Sequence, residues 1–351
     1  MNKSNFWLGK KVLVTGHTGF KGSWLSLWLQ KLGAEVIGVS LKANTSPNLF
    51  ELVNLQNGLV SHICDVRDKP KLFQIIRNTN PEIVFHLSAQ PLVRASYKDP
   101  LDTFSTNLMG TANVLDALRG LDSVKVAVMI TTDKVYLNNE SNYPYRETDI
   151  LGGHDPYSSS KAASEIIIAS YRDSFLANQG VSIASARAGN VIGGGDWSED
   201  RLIPDAIRAW TNNSILNIRN PNSVRPWQHV LEPLEGYLIL AQKLWHNPKF
   251  SGAFNFGPDN SSTETVNVVI QKAIIAFGSG EVSYDSEIGE PHESTLLSLD
   301  TSKTVKILGV SQKWSLSETV KRTMLWYKNQ NQGFDARLLC ETEISDYESI
   351  K

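Results

Sequence analysis

The stretch that decides the fold is Val12-Leu13-Val14-Thr15-Gly16-His17-Thr18-Gly19-Phe20-Lys21-Gly22, close to the amino terminus. Its first four residues favour a β-strand, the glycines follow with the spacing G-x-x-G-x-x-G, and an amphipathic helix is predicted from Ser23. A strand, a glycine turn and a helix in this order let backbone N–H groups approach a pyrophosphate at the positive end of the helix. The stretch therefore predicts a dinucleotide site.

Short apolar runs alternate with amphipathic segments through the first half of the chain, as in a parallel sheet with helices on both faces. Helices are predicted at Trp24–Leu32, Pro70–Asn78 and Phe104–Leu118. The predicted strands are Lys11–Thr15, Glu35–Val39, Gly58–Cys64, Glu82–Leu87, Val124–Thr131 and Val181–Ala186. The predicted fold class is α/β, a Rossmann-type doubly wound parallel sheet with a smaller α/β carboxy-terminal substrate lobe.

The predicted domain organisation has three parts. Residues 1–190 form the nucleotide-binding domain, 191–335 the substrate-binding lobe and 336–351 an acidic tail, interpreted as a frayed and solvated end. Residues 226–256 are expected to rejoin the first domain. The elements predicted after residue 190 are a helix at Pro204–Trp210, a strand at Leu216–Arg219, a helix at Leu231–Trp245 and a strand at Ala253–Asn255.

Composition excludes several classes of protein. The chain has 351 residues, with 34 Lys+Arg against 36 Asp+Glu and a formal net charge of -2, so a basic nucleic-acid-binding surface is not expected. Cys64 and Cys340 form neither a metal-ligand nor a disulfide spacing pattern, which favours a reducing, cytoplasmic setting without a metal. No segment approaches 18 consecutive apolar residues, so no membrane span is predicted.

Two further segments agree with a dinucleotide site. Asp65 ends the third predicted strand, where its carboxylate either accepts a hydrogen bond from adenine or caps the following helix. Ser88 and Ala89 end the fourth strand, at the sheet edge where ligands of open α/β sheets bind, and leave room for ribose and phosphate. Lys42 is the basic residue near the second strand, and no arginine joins it to clamp a 2′-phosphate, so NAD is favoured over NADP.

The segment Tyr157-Ser158-Ser159-Ser160-Lys161 has the form Y-x-x-x-K at the start of a predicted helix, so that the phenol and the ammonium share one face. With Lys161 and an oxidised nicotinamide both positive, the pKa of the phenol is expected to fall below its ordinary value of about 10. Tyr157 can then accept a hydroxyl proton. Thr132 ends the preceding strand on the same sheet edge and supplies a short hydroxyl donor.

Together these motifs resemble the extended short-chain dehydrogenase/reductase family, whose members combine G-x-x-G-x-x-G with a Ser/Thr-Tyr-Lys triad. The resemblance covers nearly the whole chain. Within the family, Thr132-Asp133-Lys134 is similar to the arrangement of sugar-nucleotide 4,6-dehydratases, and Gly16–Trp24 is most similar to the CDP-glucose branch. The dTDP-glucose branch carries Asp-Glu where this chain has Asp133-Lys134, a departure that also favours the CDP-glucose branch.

The resemblance implies a hydro-lyase that converts CDP-D-glucose to CDP-4-dehydro-6-deoxy-D-glucose with bound NAD, by C4 oxidation, loss of water across C5 and C6, and C6 reduction. Tyr157 is then the base at the C4 hydroxyl, Lys161 holds the nicotinamide ribose and Thr132 orients the C4 oxygen. Asp133 protonates the leaving C6 hydroxyl. Lys134 either removes the C5 proton as a neutral amine or, as an ammonium, stabilises the enolate or positions Asp133. The alternatives are an NDP-sugar 4-epimerase, another sugar-nucleotide oxidoreductase, or a non-catalytic NAD-binding protein.

The resemblance also implies binding residues and a partner. The cofactor-binding set is Gly16, Thr18, Gly19, Phe20, Gly22, Asp65, Val66, Leu87, Ser88, Ala89, Gln90, Asn107, Tyr157 and Lys161. For the nucleotide sugar the candidates are Asn190, Arg201, Arg219, Arg225 and His229, of which each arginine is about as well explained as a surface charge and His229 better explained as structural. A homodimer is implied through helices at Phe104–Leu118 and Tyr157–Tyr171, although their apolar faces are also consistent with core packing.

Overall fold

The computed structural model describes residues 3–140, 143–258, 263–284 and 297–350. Thirteen strands lie in these ranges. They are β1 (Lys11–Thr15), β2 (Glu35–Ser40), β3 (Leu59–Ile63), β4 (Ile83–His86), β5 (Val126–Ile130), β6 (Ser182–Ala188), β7 (Val191–Ile192), β8 (Leu216–Ile218), β9 (Val224–Arg225), β10 (Gln228–His229), β11 (Gly252–Phe256), β12 (Glu264–Thr265) and β13 (Val282–Tyr284).

Fourteen α-helices surround these strands in the same described ranges. They are α1 (Lys3–Trp7), α2 (Phe20–Lys31), α3 (Leu49–Leu52), α4 (Lys69–Thr79), α5 (Val93–Lys98), α6 (Pro100–Phe104), α7 (Gly110–Ala117), α8 (Pro156–Tyr171), α9 (Leu202–Thr211), α10 (Leu231–His246), α11 (Val266–Phe277), α12 (Ser302–Leu308), α13 (Leu316–Asn331) and α14 (Ala336–Ser349). Short π-helical turns lie at Ser105–Met109 and Arg172–Leu176, and 3₁₀ turns at Asp133–Val135 and Pro248–Phe250.

Seven strands form one parallel sheet in the order β11-β6-β5-β4-β1-β2-β3. The six strands predicted for the first half of the chain are all present, which confirms the Rossmann-type α/β class. The chain runs outward from β1 to β3 and then crosses to β4, so the strand order reverses between β1 and β4. Ligands of such sheets bind at the carboxyl edge beside that reversal.

Alternation along β1 shows why the sheet is covered on both faces. Val12 and Val14 belong to the apolar cluster that contains α2 and α10, whereas Leu13 belongs to the cluster that contains α4 and α7. Successive side chains of a strand point to opposite faces, so a strand that is apolar at every position needs a helical layer on each side. All five residues of β5 and all seven of β6 are buried accordingly.

The chain leaves the sheet after β6 and returns at β11, which pairs with β6 in parallel. Between and after these strands, three small pairs build the second lobe: β7 with β10, β9 with β12, and β8 with β13. The helices predicted at Pro204–Trp210 and Leu231–Trp245 are present as α9 and α10. The long helix predicted at Phe104–Leu118 is interrupted, since a π-helical turn separates α6 from α7.

The carboxy-terminal segment is not a frayed end, so that interpretation was wrong. Residues Ala336–Ser349 form α14, in which Cys340, Ile344 and Tyr347 are buried. Helix α14 packs on α2, and Trp28 Nε1 donates to Glu348 Oε1 at 2.8 Å. The three buried residues are spaced i, i+4 and i+7, which is the period of one helical face. The many acidic residues around them obscure that pattern in the sequence.

Among the described residues no helix combines the length and the apolar character that crossing a membrane requires.

Candidate active site

A cavity of about 920 Å³ opens at the carboxyl edge of the sheet. Its wall is formed by the β1–α2 turn, the ends of β2 to β6, and residues of α9 and β8 from the second lobe. The cavity therefore lies where the strand order reverses, and both lobes contribute to it. Its size is in the upper part of the range typical of small-molecule sites.

The glycine turn forms one end of the cavity. Gly16 has φ +76°, and a Cβ at this position would lie 2.8 Å from the Ser88 backbone nitrogen. At Gly22 a Cβ would lie 2.0 Å from the Gly16 oxygen, so both glycines are required by close contact between backbone segments. Gly19 is the N-cap residue of α2 and has no side chain to occupy the first N–H groups of the helix. The turn can therefore accept a pyrophosphate.

Residues beside the glycines maintain the shape of the turn. Thr18 Oγ1 lies 2.8 Å from Ser40 Oγ and donates to the Leu41 carbonyl at 2.9 Å. His17 is fully buried, with Nε2 2.7 Å from Ser61 Oγ, and burial lowers its pKa to about 4. The His17 ring is thus a neutral structural group.

Asp65 lines the cavity at the end of β3, but its carboxylate already has a protein partner. It accepts from the backbone nitrogen of Arg67 at 2.8 Å and pairs with Arg67 Nη2 at 2.7 Å. The hydrogen bond from the Arg67 side chain lowers the pKa of Asp65, which keeps the carboxylate ionised. The alternative in which Asp65 caps a helix is wrong, because Asp68 is the residue that caps α4.

The Y-x-x-x-K residues lie in the first turns of α8, and the start of that helix is firmly capped. Asp155 accepts from the Ser158 backbone nitrogen at 2.9 Å, the Ser158 hydroxyl completes a capping box, and Pro156 occupies the first turn. Lys161 Nζ donates to the carbonyl of Ile130, the last residue of β5, at 3.3 Å. Tyr157 and Lys161 are both buried in the cavity wall.

Thr132 and Asp133 follow β5 and face the same space. Thr132 Oγ1 donates to Asp133 Oδ1 at 2.9 Å. Asp133 is 2% exposed, and its Oδ2 accepts no hydrogen bond from any residue that the structure describes. Burial raises the pKa of Asp133, and the charges of Lys134 and Arg225 oppose the rise. A buried carboxyl with a free oxygen and a raised pKa is suited to donating a proton to a ligand.

The protein groups alone do not lower the pKa of Tyr157. Burial raises this pKa to about 12, although the nearby Thr132 hydroxyl and the charge of Arg201 favour the phenolate. Burial also lowers the pKa of Lys161 to about 8, and the charge of Glu165 opposes this fall. The protein groups alone thus leave Tyr157 a neutral phenol at neutral pH, because loss of hydration outweighs the nearby cations.

Lys21 is a cavity residue for which the sequence analysis predicted no role. It lies in the first turn of α2, lines the cavity and donates from Nζ to the Tyr237 hydroxyl at 3.0 Å. Burial, followed by the charges of Arg201 and Lys161, lowers its pKa to about 7. The glycine spacing gave no indication of this role, because the partner Tyr237 is 216 residues away in the chain.

The predicted nucleotide-sugar residues are brought together, with one exception. Asn190, Arg201, Arg219 and Arg225 line the cavity, and so do Arg94 and Arg208, which the sequence analysis missed. Arg201 Nη1 pairs with Asp196 at 2.8 Å, whereas Asp200 lies 3.7 Å from Arg94 and 3.9 Å from Arg219. The five arginines and Asn190 make this end of the cavity suited to phosphate oxygens.

His229 is not a cavity residue, which corrects its place in the predicted nucleotide-sugar set. It is fully buried between the rings of Trp24 and Trp314, with Nε2 3.3 Å from Glu343.

Gln90 and Asn107, predicted to bind the cofactor, lie behind the cavity wall. Asn107 Oδ1 accepts from the Gln90 backbone at 2.8 Å, so this pair supports the loop that carries Ser88 and Ala89. Leu87, Ser88, Ala89 and Val66 do line the cavity.

Comparison with known proteins agrees with this geometry. The family model described as GDP-mannose 4,6 dehydratase matches residues 13–323. A CDP-glucose 4,6-dehydratase of Salmonella typhimurium is 49% identical over 99% of both chains. A UDP-glucose 4-epimerase of Mycoplasma pneumoniae is 26% identical over 91% of this chain and 97% of its own.

Solved structures of the same fold are also similar. A UDP-glucose-4-epimerase of Stenotrophomonas maltophila with bound NAD superposes with a TM-score of 0.80 at 22% identity, covering 92% of this chain and 99% of its own. A dTDP-glucose 4,6-dehydratase of Streptomyces venezuelae has a TM-score of 0.78 at 22% identity, covering 93% of this chain and 99% of its own. At this identity the two structures establish the fold alone. With the family match across most of its length and the triad assembled in the cavity, the chain belongs to the GDP-mannose 4,6 dehydratase family of extended short-chain dehydrogenases/reductases.

Proposed function

We propose that the protein is a sugar-nucleotide 4,6-dehydratase that converts CDP-D-glucose to CDP-4-dehydro-6-deoxy-D-glucose with bound NAD. The observation that carries this proposal is Asp133, a buried carboxyl with one free oxygen in the wall of the cavity that Thr132 and Tyr157 also line. Dehydration requires an acid for the leaving hydroxyl in addition to the oxidation triad. The relative that is 49% identical over nearly the whole chain carries the same activity in its name.

The cavity fits NAD. The glycine turn admits a pyrophosphate only because Gly16 and Gly22 have no Cβ, and we assign that end of the cavity to Gly16, Gly19 and the N–H groups at the start of α2. We assign the adenine to Asp65 and Val66 and the nicotinamide ribose to Lys161, all of which line the cavity. The chemistry that NAD supplies when bound is removal of a hydride from C4 and its return to C6.

Proton transfer at C4 is the task of Tyr157. As a phenolate, Tyr157 accepts the C4 hydroxyl proton, and Thr132 orients the C4 oxygen. Since burial raises the pKa of Tyr157 to about 12, this step needs further positive charge beside the phenol. Lys161, Arg201 and the positively charged ring of the oxidised cofactor supply it.

Water loss follows from the position of the C6 hydroxyl relative to the C4 ketone. The ketone makes the C5 proton acidic, and Asp133 protonates the leaving C6 hydroxyl as a general acid. The raised pKa of Asp133 keeps this carboxyl protonated to a higher pH than an exposed aspartate. Lys134, half-buried in the cavity wall, either removes the C5 proton as a neutral amine or, as an ammonium, stabilises the enolate or positions Asp133.

We assign the diphosphate of the nucleotide sugar to the arginine-rich end of the cavity, with Arg201, Arg225 and Asn190 as its main contacts. Guanidinium groups bind phosphate oxygens in a bidentate manner, which a lysine does not. The preference for cytosine and glucose rests on the similarity to the CDP-glucose enzyme.

A panel of NDP-hexoses tests the proposal. Incubation with CDP-glucose, dTDP-glucose, UDP-glucose and GDP-mannose should give a 4-keto-6-deoxy product, lighter by one water, from CDP-glucose alone. Mass spectrometry and alkali-induced ultraviolet absorbance detect this product. A 4-epimer of unchanged mass would instead support the epimerase alternative, whose members share the fold. An epimerase has no use for an acid at C6, which is why Asp133 favours dehydration.

We also infer a cytoplasmic homodimer. Leu101, Met109 and Ile166 expose between 51% and 79% of their surface on α6, the following π-helical turn and α8, three elements that pack together. Light scattering should give twice the mass of 38.9 kDa, and Ile166→Glu should give monomers. A monomeric parent protein would contradict this assignment.

The buried, unpaired thiols of Cys64 and Cys340 suit a reducing compartment, which cell fractionation can check.

A further inference from the structure

A buried group of charged and polar side chains lies directly behind the triad. Glu165 is on α8 one helical turn after Lys161, and its carboxylate accepts from Thr131 Oγ1 at 2.5 Å. It also accepts from Ser185 Oγ at 2.7 Å and from Arg187 Nη2 at 2.8 Å. The side chains of Glu165 and Arg187 are each 4% exposed. One carboxylate thus links α8 to the ends of β5 and β6.

Two hydrogen bonds at successive chain positions join α8 to the end of β5. Lys161 Nζ donates to the carbonyl of Ile130, and Glu165, four residues later, accepts from Thr131, the next residue of the chain. The following residues, Thr132 and Asp133, carry the proposed hydrogen-bond donor and the proposed acid. A displacement of Glu165 would therefore move the segment that carries both groups relative to Lys161.

The same group extends along the sheet to its edge strand, β11. Arg187 Nη1 donates to the Tyr136 hydroxyl at 2.8 Å, and Tyr136 donates in turn to Asn255 Oδ1 on β11 at 2.6 Å. Arg187 lies at the end of β6, three residues before the cavity residue Asn190. The network therefore joins the triad to the loop that enters the nucleotide-sugar end of the cavity.

Glu165 also affects the protonation of Lys161 through its charge. Three elements present titratable groups to Lys161: Glu165 from α8, Lys21 from α2 and His86 from β4. Burial lowers the pKa of His86 to about 3, so its ring is neutral at neutral pH, whereas Lys21 is partly cationic. Glu165 is the one carboxylate of this set. Its charge raises the pKa of Lys161 against the effect of burial.

We propose that Glu165 is a positioning residue of the reaction, which holds the Thr132–Asp133 segment against the Lys161 turn of α8 and places a buried negative charge one helical turn from the Lys161 ammonium. This inference rests on the proposed function, because it takes Thr132, Asp133 and Lys161 as the groups to be positioned. Arg187 acts as the partner that makes burial of the carboxylate tolerable.

Two variants separate charge from position. Glu165→Gln keeps the shape but removes the charge, so Lys161 should lose its proton at a pH lower by about one unit or more. Thr131→Val removes one hydroxyl and keeps the charge, so kcat for CDP-glucose should fall roughly tenfold, with the Lys161 midpoint unchanged. Glu232→Gln is the matched control, since Glu232 is an equally buried carboxylate that accepts from Trp314 and Tyr347, and none of these three residues lines the cavity.

The Lys161 midpoint is measured without substrate, from the pH dependence of trace acylation by acetic anhydride, followed by peptide mass spectrometry. The wild-type midpoint is expected near 8 and that of Glu165→Gln clearly below it, with the high-pH limb of the kcat profile moved in the same direction. Glu232→Gln should lower the thermal midpoint of unfolding and leave the Lys161 acylation midpoint and the pH profile of kcat unchanged.

Each outcome decides the inference. A Glu165→Gln protein that loses thermal stability but keeps the wild-type Lys161 midpoint would make Glu165 merely structural. If Glu165→Gln does not fold, an undiminished kcat in Thr131→Val overturns the positioning role. A wild-type protein that leaves CDP-glucose unchanged refutes the proposed function, while the acylation midpoints still decide the electrostatic part of this inference.

Discussion

Asp133 and Tyr157 share one cavity but are proposed to serve different half-reactions, so the two substitutions should impair different steps. Tyr157→Phe removes the proton acceptor at C4, and losses of ~10²- to 10⁴-fold with no keto sugar are expected. Asp133→Asn cannot donate a carboxyl proton, so C4 oxidation should persist while water loss slows. In a single turnover with CDP-glucose, mass spectrometry should then detect a 4-ketohexose that keeps its C6 oxygen. Unchanged dehydration by Asp133→Asn would remove Asp133 from the acid role.

Lys21 should give binding at the glycine turn a pH dependence near neutrality. A lysine with a pKa of about 7 is an ammonium below that pH and a neutral amine above it. ADP-ribose carries the pyrophosphate without the nicotinamide, so its dissociation constant should rise roughly fivefold between pH 6 and 8, about 1 kcal/mol for one charge pair. Lys21→Met should bind ADP-ribose more weakly at pH 6, with a flatter profile.

Calorimetry at several pH values measures the dissociation constant of ADP-ribose for the wild-type protein and for Lys21→Met. His17 and His86, whose pKa values are lowered to about 4 and about 3, do not titrate in this window. The pKa of Lys161 is about 8, and Lys161 is present in both proteins, so the difference between them reports Lys21. Identical profiles for the two proteins would show that Lys21 does not interact with the pyrophosphate.

At the scale of elements, α14 should behave as part of the core. Ile344 is fully buried on α14, so Ile344→Ala should lower the free energy of unfolding by about 2–5 kcal/mol in a urea titration. Leu338 lies on the same helix but is 62% exposed, and Leu338→Ala is the matched control, with a change within about 0.5 kcal/mol. Equal, small changes in both variants would mean that α14 contributes little to stability.

At the scale of the whole molecule, both lobes line the cavity and both ends of the redox cycle occur within it. CDP-glucose that carries deuterium at C4 should therefore give product labelled at C6, without added reductant. Mass spectrometry and NMR of the product measure the label. Loss of the label to solvent, or net accumulation of reduced cofactor, would contradict an internal redox cycle.

Local pattern was sufficient to predict most of the fold. The strands around the sheet, the turn at Gly16 and the Y-x-x-x-K helix depend on short-range rules: the two-residue period of a strand, the sterics of glycine and the spacing of one helical face. The same rules placed Thr132 and the Y-x-x-x-K helix at one sheet edge, whereas the role of Asp133 came from the resemblance to a known family.

The sequence by itself therefore determined the fold class and the glycine turn, and it indicated the catalytic candidates. Only the tertiary structure decided which side chains are buried and which distant residues they meet. It placed Lys21 beside Tyr237 and His229 in the core, and it left Tyr157 with a raised pKa. Burial and long-range pairing depend on how helices and strands pack, and desolvation outweighs the local charges that a sequence displays. These properties arise only when segments hundreds of residues apart come into contact.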